Sequence, residues 1–166
     1  MRCAGECKQT LLVVEDYDDV RQMLRMLLES EHMGVLEAAN GTEALDILRN
    51  ERPNAVLTDL GLPGIDGFET IRRIRKIDGF QNTPIVVLSA HSGQSIYEEA
   101  FHAGANYFIV KPVDFDELEW LITQILGKGM ARIKIRENGR VIAQRAVITN
   151  RAADREMMGL RRCLCA

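Results

Sequence analysis

Short continuous apolar runs alternate with stretches whose apolar residues recur at helical spacing. Leu11-Leu12-Val13-Val14 is the first such run and predicts a strand buried on both faces. Val20, Met23, Leu24, Leu27 and Leu28 follow at i, i+3, i+4, i+7 and i+8, which predicts a helix with one buried face. Val35 to Ala39 reads as a second strand, and Asn40 with Glu43 three residues on opens a helix through about Arg49. Pro53 breaks the chain before a third strand, Ala55-Val56-Leu57-Thr58. A loop with Gly61, Pro63, Gly64 and Gly67 leads to a helix marked by Phe68, Ile71 and Ile74. Pro84 precedes Ile85-Val86-Val87-Leu88-Ser89, the most strand-like run. A helix around Ile96 to Ala103 ends at Gly104, a suitable residue just past a helix terminus. Tyr107-Phe108-Ile109-Val110 is a fifth strand, and Asp114 caps a last helix expected to turn Phe115, Leu118, Leu121, Ile122 and Ile125 inward.

Five strand–helix units in succession predict an α/β fold, a doubly wound parallel sheet with helices on both faces. In such a sheet functional residues gather at the carboxyl ends of the strands. This chain meets that condition. The first strand ends in Glu15-Asp16, the third in Asp59, the fourth in Ser89 and the fifth in Lys111-Pro112. Clustered carboxylates repel unless a cation joins them. Oxygen ligands suit a hard divalent ion, and Mg²⁺ with a phosphate partner fits best. A carboxylate can attack phosphorus, while an ammonium and a hydroxyl can hold the transferred oxygens. The residues alone therefore suggest metal-assisted phosphoryl transfer to an aspartate.

Charge adds a division the hydrophobic pattern does not show. The formal net charge is −3. Residues 1–126 hold 11 Lys/Arg against 21 Asp/Glu, net −10, and residues 127–166 hold 10 against 3, net +7. The four cysteines, Cys3, Cys7, Cys163 and Cys165, lie near the two ends, so no disulfide framework is expected in the core. They could form a thiolate metal site if the ends met, or remain reduced thiols. His32, His91 and His102 lack metal-ligand spacing and read as surface residues. No apolar run approaches the roughly 18–20 residues that span a bilayer, and the first residues lack the apolar core of a secretion signal. A cytoplasmic protein away from the membrane is the expectation.

Glu15-Asp16, the stretch Thr58 to Gly67, Val87-Leu88-Ser89-Ala90 and the stretch Gly104 to Pro112 together resemble the receiver domain of two-component response regulators. The resemblance spans about residues 9–127. It implies a flavodoxin-like sheet in the order 2-1-3-4-5 and a phosphoacceptor role for Asp59. It implies Mg²⁺ as cofactor, with Asp16 as direct ligand, Glu15 as outer acidic partner, and Asp59 and the backbone carbonyl of Gly61 as further ligands. Ser89 would be the hydroxyl switch, Lys111 its ammonium partner, Phe108 the rotating aromatic, and Ala90 the small residue that keeps the phosphoryl pocket open. Pro112 falls at the family's cis-proline position, which would aim Lys111 inward. The implied partners are a sensor histidine kinase or phosphotransfer protein, and a downstream protein on the face of the fourth helix, fifth strand and fifth helix. The chain would be a phosphoacceptor signalling protein, not an enzyme beyond its own phosphorylation and dephosphorylation. Homodimerisation stays open.

Three rival readings compete with this one. Haloacid-dehalogenase-like phosphatases need a second acid two residues past the nucleophile, where this chain has Gly61. A receiver-like module that no longer takes phosphate would not be expected to keep Asp16, Asp59, Ser89 and Lys111 together. A DNA-binding regulator would need an output domain. The division expected is an N-terminal tail over 1–8, a receiver over 9–127 and a basic extension over 128–166. That extension is too short for a winged helix, so nucleic acid is not expected as a partner. Asn138-Gly139 between Ile133-Lys134-Ile135-Arg136 and Val141-Ile142 reads as a hairpin within 131–144. A disordered basic tail is the alternative. Charge predicts that the extension docks on the acidic receiver or on an acidic partner.

Overall fold

A computed structural model describes residues 9–127 and 141–143. Its elements are β1 (Thr10–Val14), α1 (Asp18–Ser30), β2 (Gly34–Ala38), α2 (Gly41–Asn50), β3 (Ala55–Asp59), α3 (Gly67–Lys76), β4 (Ile85–Ser89), α4 (Gln94–Ala103), β5 (Tyr107–Val110), α5 (Phe115–Leu126) and β6 (Val141–Ala143). The first five strands are parallel and run β2-β1-β3-β4-β5, as the resemblance implied. β6 adds a strand that the expected five-stranded sheet lacked. It pairs antiparallel with β5, setting Tyr107 opposite Ala143, Phe108 opposite Ile142 and Ile109 opposite Val141. The other arm of the expected hairpin, 131–140, lies outside the described residues, as do 1–8 and all four cysteines.

Alternation along each strand feeds two apolar layers. Leu12, Val14, Val56, Val87 and Phe108 face α2, α3 and α4, where Ala44, Leu48, Ile71, Ile74, Ala100 and Phe101 meet them. Leu11, Val13, Leu57, Val86, Leu88 and Ile109 face α1 and α5, meeting Leu24, Leu28, Leu118, Leu121 and Ile122. The central strands are buried on both sides, which is why they read as unbroken apolar runs. β2, at an edge, is mostly half-buried.

Two residues placed on inner faces are instead exposed. Met23 lies beyond the margin of the stripe made by Val20, Leu24, Leu27 and Leu28, and Phe115 opens α5 at the margin of its stripe; they are 40% and 39% exposed. The caps follow the expected logic. Asn40 accepts from the Glu43 N–H at 2.9 Å while the Ala39 N–H donates back to Glu43 at 2.7 Å. Asp114 accepts from the Glu117 N–H at 3.1 Å.

At the amino edge of the sheet, Arg75 ties α3 to its neighbours. Its guanidinium donates to the carbonyls of Phe80, Thr83 and Gly104 and to the side-chain oxygen of Asn106, at 2.7–2.9 Å. Burial lowers its pKa to about 10. Gly104 ends α4 at φ +117°, and a Cβ there would lie 2.7 Å from the Arg75 Cγ. No helix among the described residues is long and apolar enough to cross a membrane.

Candidate functional site

The strand register sets the site. Val14 lies beside Thr58, Asp59 beside Leu88, and Ser89 beside Val110, so four strands end at one level. Glu15 and Asp16 follow β1 there, Asp59 and Ser89 close β3 and β4, and Lys111 follows β5. The Lys111 N–H donates to the Ser89 carbonyl at 2.8 Å, which fastens the lysine to the end of β4. The Lys111–Pro112 peptide is cis.

Carboxylate oxygens of Glu15, Asp16 and Asp59 lie within 4.8 Å of one another. The Lys111 ammonium reaches Glu15 Oε2 at 2.7 Å and also bonds Asp59 Oδ2. The second Asp59 oxygen, Oδ1, accepts from the Gly61 N–H at 2.9 Å. Glu15 is 1% exposed, and burial raises its pKa against the lowering effect of Lys111. Burial works to lower the Lys111 pKa, but hydrogen bonds and charge from Asp59 and Glu15 outweigh it and hold the pKa above the ordinary value.

The charges do not balance within the protein. Three carboxylates face one ammonium, and Asp16 Oδ1 is buried with no hydrogen-bond partner among the described residues. A buried carboxylate oxygen left so is costly. The donor set is all oxygen, which suits a hard divalent cation. Two positive charges would neutralise what Lys111 leaves over, so the residues fit Mg²⁺.

The remaining candidates fall around this cluster. Ser89 is fully buried, and its Oγ accepts from the His91 N–H at 3.1 Å. Ala90 is exposed beside it and Pro112 is exposed on the far side of Lys111. Gly61 touches Asp59 through its N–H. Phe108 is core, 0% exposed, with its ring edge-on to Tyr97 of α4 at 4.8 Å between centroids. His32, His91 and His102 are exposed, as expected.

Sequence reasoning missed two supporting residues. Arg21, on the first turn of α1, donates to the Glu15 carbonyl at 2.7 Å and bonds the Asp18 carboxylate, steadying the acidic loop. Gly67 packs under the loop that follows Asp59, where a Cβ would come within 2.4 Å of the Asp59 carbonyl oxygen and 2.5 Å of the Leu60 Cα. The glycine was visible as a loop residue, but its tight neighbour is backbone and leaves no trace in residue type. An arginine one turn past an acidic pair was the available signal for Arg21.

Comparison with known proteins agrees with this geometry. Residues 11–123 match the family model of the response regulator receiver domain. Sporulation initiation phosphotransferase F of Bacillus subtilis is 33% identical over 118 residues, covering 71% of this chain and 94% of that protein. The transcriptional regulatory protein AfsQ1 of Streptomyces coelicolor is 38% identical over 120 residues, covering 72% of this chain and 52% of that protein. The chain thus matches about half the length of that regulator. The chemotaxis response regulator CheY4 of Vibrio cholerae superposes with a TM-score of 0.68 at 28% identity, over 72% of this chain and 99% of that one. A sensor histidine kinase receiver domain from Pseudomonas aeruginosa, solved with magnesium in its active site cleft, does so at 0.68 and 30% identity, over 73% of this chain and 99% of that one. The parallel sheet, the acidic cluster at its carboxyl edge and these matches together establish that the chain belongs to the response regulator receiver domains of two-component signalling.

Proposed function

We infer that this receiver accepts a phosphoryl group on Asp59 in a Mg²⁺-dependent reaction, from a sensor histidine kinase or a phosphotransfer protein. It then signals in the cytoplasm through the face of α4, β5 and α5. The observation that carries this reading is the convergence of Glu15, Asp16 and Asp59 within 4.8 Å, with Lys111 bridging two of them and Asp16 Oδ1 buried and unsatisfied. Asp16 and Asp59 would hold the ion, Glu15 would support it from outside, and the Gly61 carbonyl would complete the protein ligands. An ion bound there would neutralise the charge of the carboxylates and of the phosphoryl oxygens.

The chain's own groups do the rest. One carboxylate oxygen of Asp59 attacks phosphorus as the bond to the donor breaks, and the electron pair leaves with the donor atom, an imidazole nitrogen in a histidine kinase. The Gly61 N–H holds the carboxylate in line. Lys111 shifts from Asp59 onto the new phosphoryl oxygens, which its positive charge holds. Ser89 turns its hydroxyl from the His91 N–H toward the same oxygens, and exposed Ala90 leaves room for them. Hydrolysis returns the carboxylate and inorganic phosphate. The chain is therefore a phosphoacceptor that turns over only its own modification. The Gly61 position lacks the second acid of a haloacid-dehalogenase-like phosphatase.

Beryllofluoride with Mg²⁺ tests the reading without a kinase. The expected result is a set of amide shift changes centred on Asp59, Ser89 and Lys111 that vanish in Asp59→Ala. Equal changes in that variant would reject it.

A further inference from the structure

β5 would end the sheet if β6 were absent. The Lys111 N–H donates to the Ser89 carbonyl of β4, and alternation along a strand turns the next-but-one residues, Ile109 and Tyr107, the same way. Phe108, between them, then aims its backbone groups outward, at the edge β6 takes. Outward groups of this kind recruit extended segments by backbone hydrogen bonding alone.

We propose that the basic C-terminal extension is an intrasteric strap: 141–143 occupies the β5 edge in cis and covers the face this receiver uses for output. The assignment of that face rests on the function inferred above; the strap itself does not. Three observations carry it. The first is the register, which puts Ile142 opposite Phe108, the residue whose backbone groups face outward. The second is charge. α4, α5 and the loop before α5 carry Glu98, Glu99, Asp114, Asp116, Glu117 and Glu119, whereas residues 128–166 hold 10 Lys/Arg against 3 Asp/Glu. The third is reach. α5 has 12 residues and ends at the amino edge of the sheet, so the chain must climb about 18 Å to begin β6 beside Ile109. Residues 128–140 can span about 43 Å when extended.

A segment tethered in this way faces its site at an effective concentration on the order of millimolar. Any extended partner arriving at β5 must displace it first. Because Phe108 makes the edge contact with β6 and its ring meets Tyr97 of α4, strap release and the packing of α4 touch the same residue.

The test uses the full chain without phosphodonor or Mg²⁺, so its outcome is independent of phosphoryl chemistry. The variant Ile142→Pro removes the β6 donor opposite Phe108 and lies outside the five-stranded unit. Amide exchange at Phe108 is expected to be slow in the wild type and fast in the variant, with β1 and β3 unchanged. A synthetic peptide of residues 128–148 added in trans is then expected to restore protection at Phe108 in the variant. It should bind the wild type about ten-fold more weakly or worse, since cis occupancy competes. Equally fast exchange at Phe108 in wild type and variant overturns the strap. Equal binding of the peptide to both proteins, or binding without protection of Phe108, also overturns it. Loss of Asp59 labelling with the strap behaviour intact would instead reject the phosphoacceptor reading alone.

Discussion

Asp16 and Glu15 are neighbours in the chain with different surroundings. Lys111 neutralises Glu15 at 2.7 Å, whereas Asp16 Oδ1 has no hydrogen-bond partner among the described residues. Calorimetry with Mg²⁺ should therefore separate them. Asp16→Ala is expected to lose most of the affinity and Glu15→Ala about ten-fold, the scale of an outer-sphere partner. Equal losses would count against this division of roles. Glu15 also makes a pH prediction. Burial raises its folded pKa above the unfolded value, so the folded state holds the proton more readily. The stability tied to that proton is present below the unfolded pKa and lost as pH rises through the folded one. In EDTA, the thermal midpoint of the wild type should fall relative to Glu15→Gln as pH rises from the ordinary Glu range toward neutral. An unchanged difference across that window would contradict the shift. The acidic residues, Ser89 and Lys111 were legible in the sequence because each stands directly after an apolar run. The roles of Arg21 and Gly67 were not legible, because Arg21 holds the Glu15 carbonyl and Gly67 packs against backbone.

Each element of the receiver answers to a local rule that the sequence displays. Caps at Asn40 and Asp114 start helices where expected, and unbroken apolar runs form the central strands. Stripe margins were harder to read: Met23 and Phe115 have the right residue type but lie beyond the covered arc. Gly67→Ala should show what the start of α3 tolerates. Its Cβ would press on the Asp59 carbonyl and Leu60 Cα, backbone atoms that cannot turn aside, so a loss of about 1–3 kcal/mol in chemical denaturation is expected. A neutral result would mean the α3 entry moves freely. Arg75→Met should cost about 3 kcal/mol by the same measurement, since it strips donors from carbonyls in the α3–β4 loop and at the end of α4. The role proposed for Ser89 is to couple elements as well as to bind oxygen. Ser89→Ala is expected to accept phosphate yet show a diminished beryllofluoride-induced change in α4 exchange, a weakened population shift. A full wild-type response would reduce Ser89 to a strand end.

At the scale of the molecule, residues 141–143 of the basic extension form a strand on the β5 edge of the acidic receiver. The pairing partner was not legible, because Asn138-Gly139 points locally to a hairpin while the open β5 edge is a product of the tertiary fold. The fold order, by contrast, followed from five strand–helix units and the family motifs. The function proposed for the molecule joins one phosphoacceptor at the carboxyl edge to one signalling face beside it. Intact-mass spectrometry after acetyl phosphate with Mg²⁺ tests this most directly. The account predicts addition of a single phosphate to the wild type, absent in Asp59→Ala and absent after EDTA. Undiminished labelling of Asp59→Ala, or no labelling of the wild type with Mg²⁺ present, would contradict it.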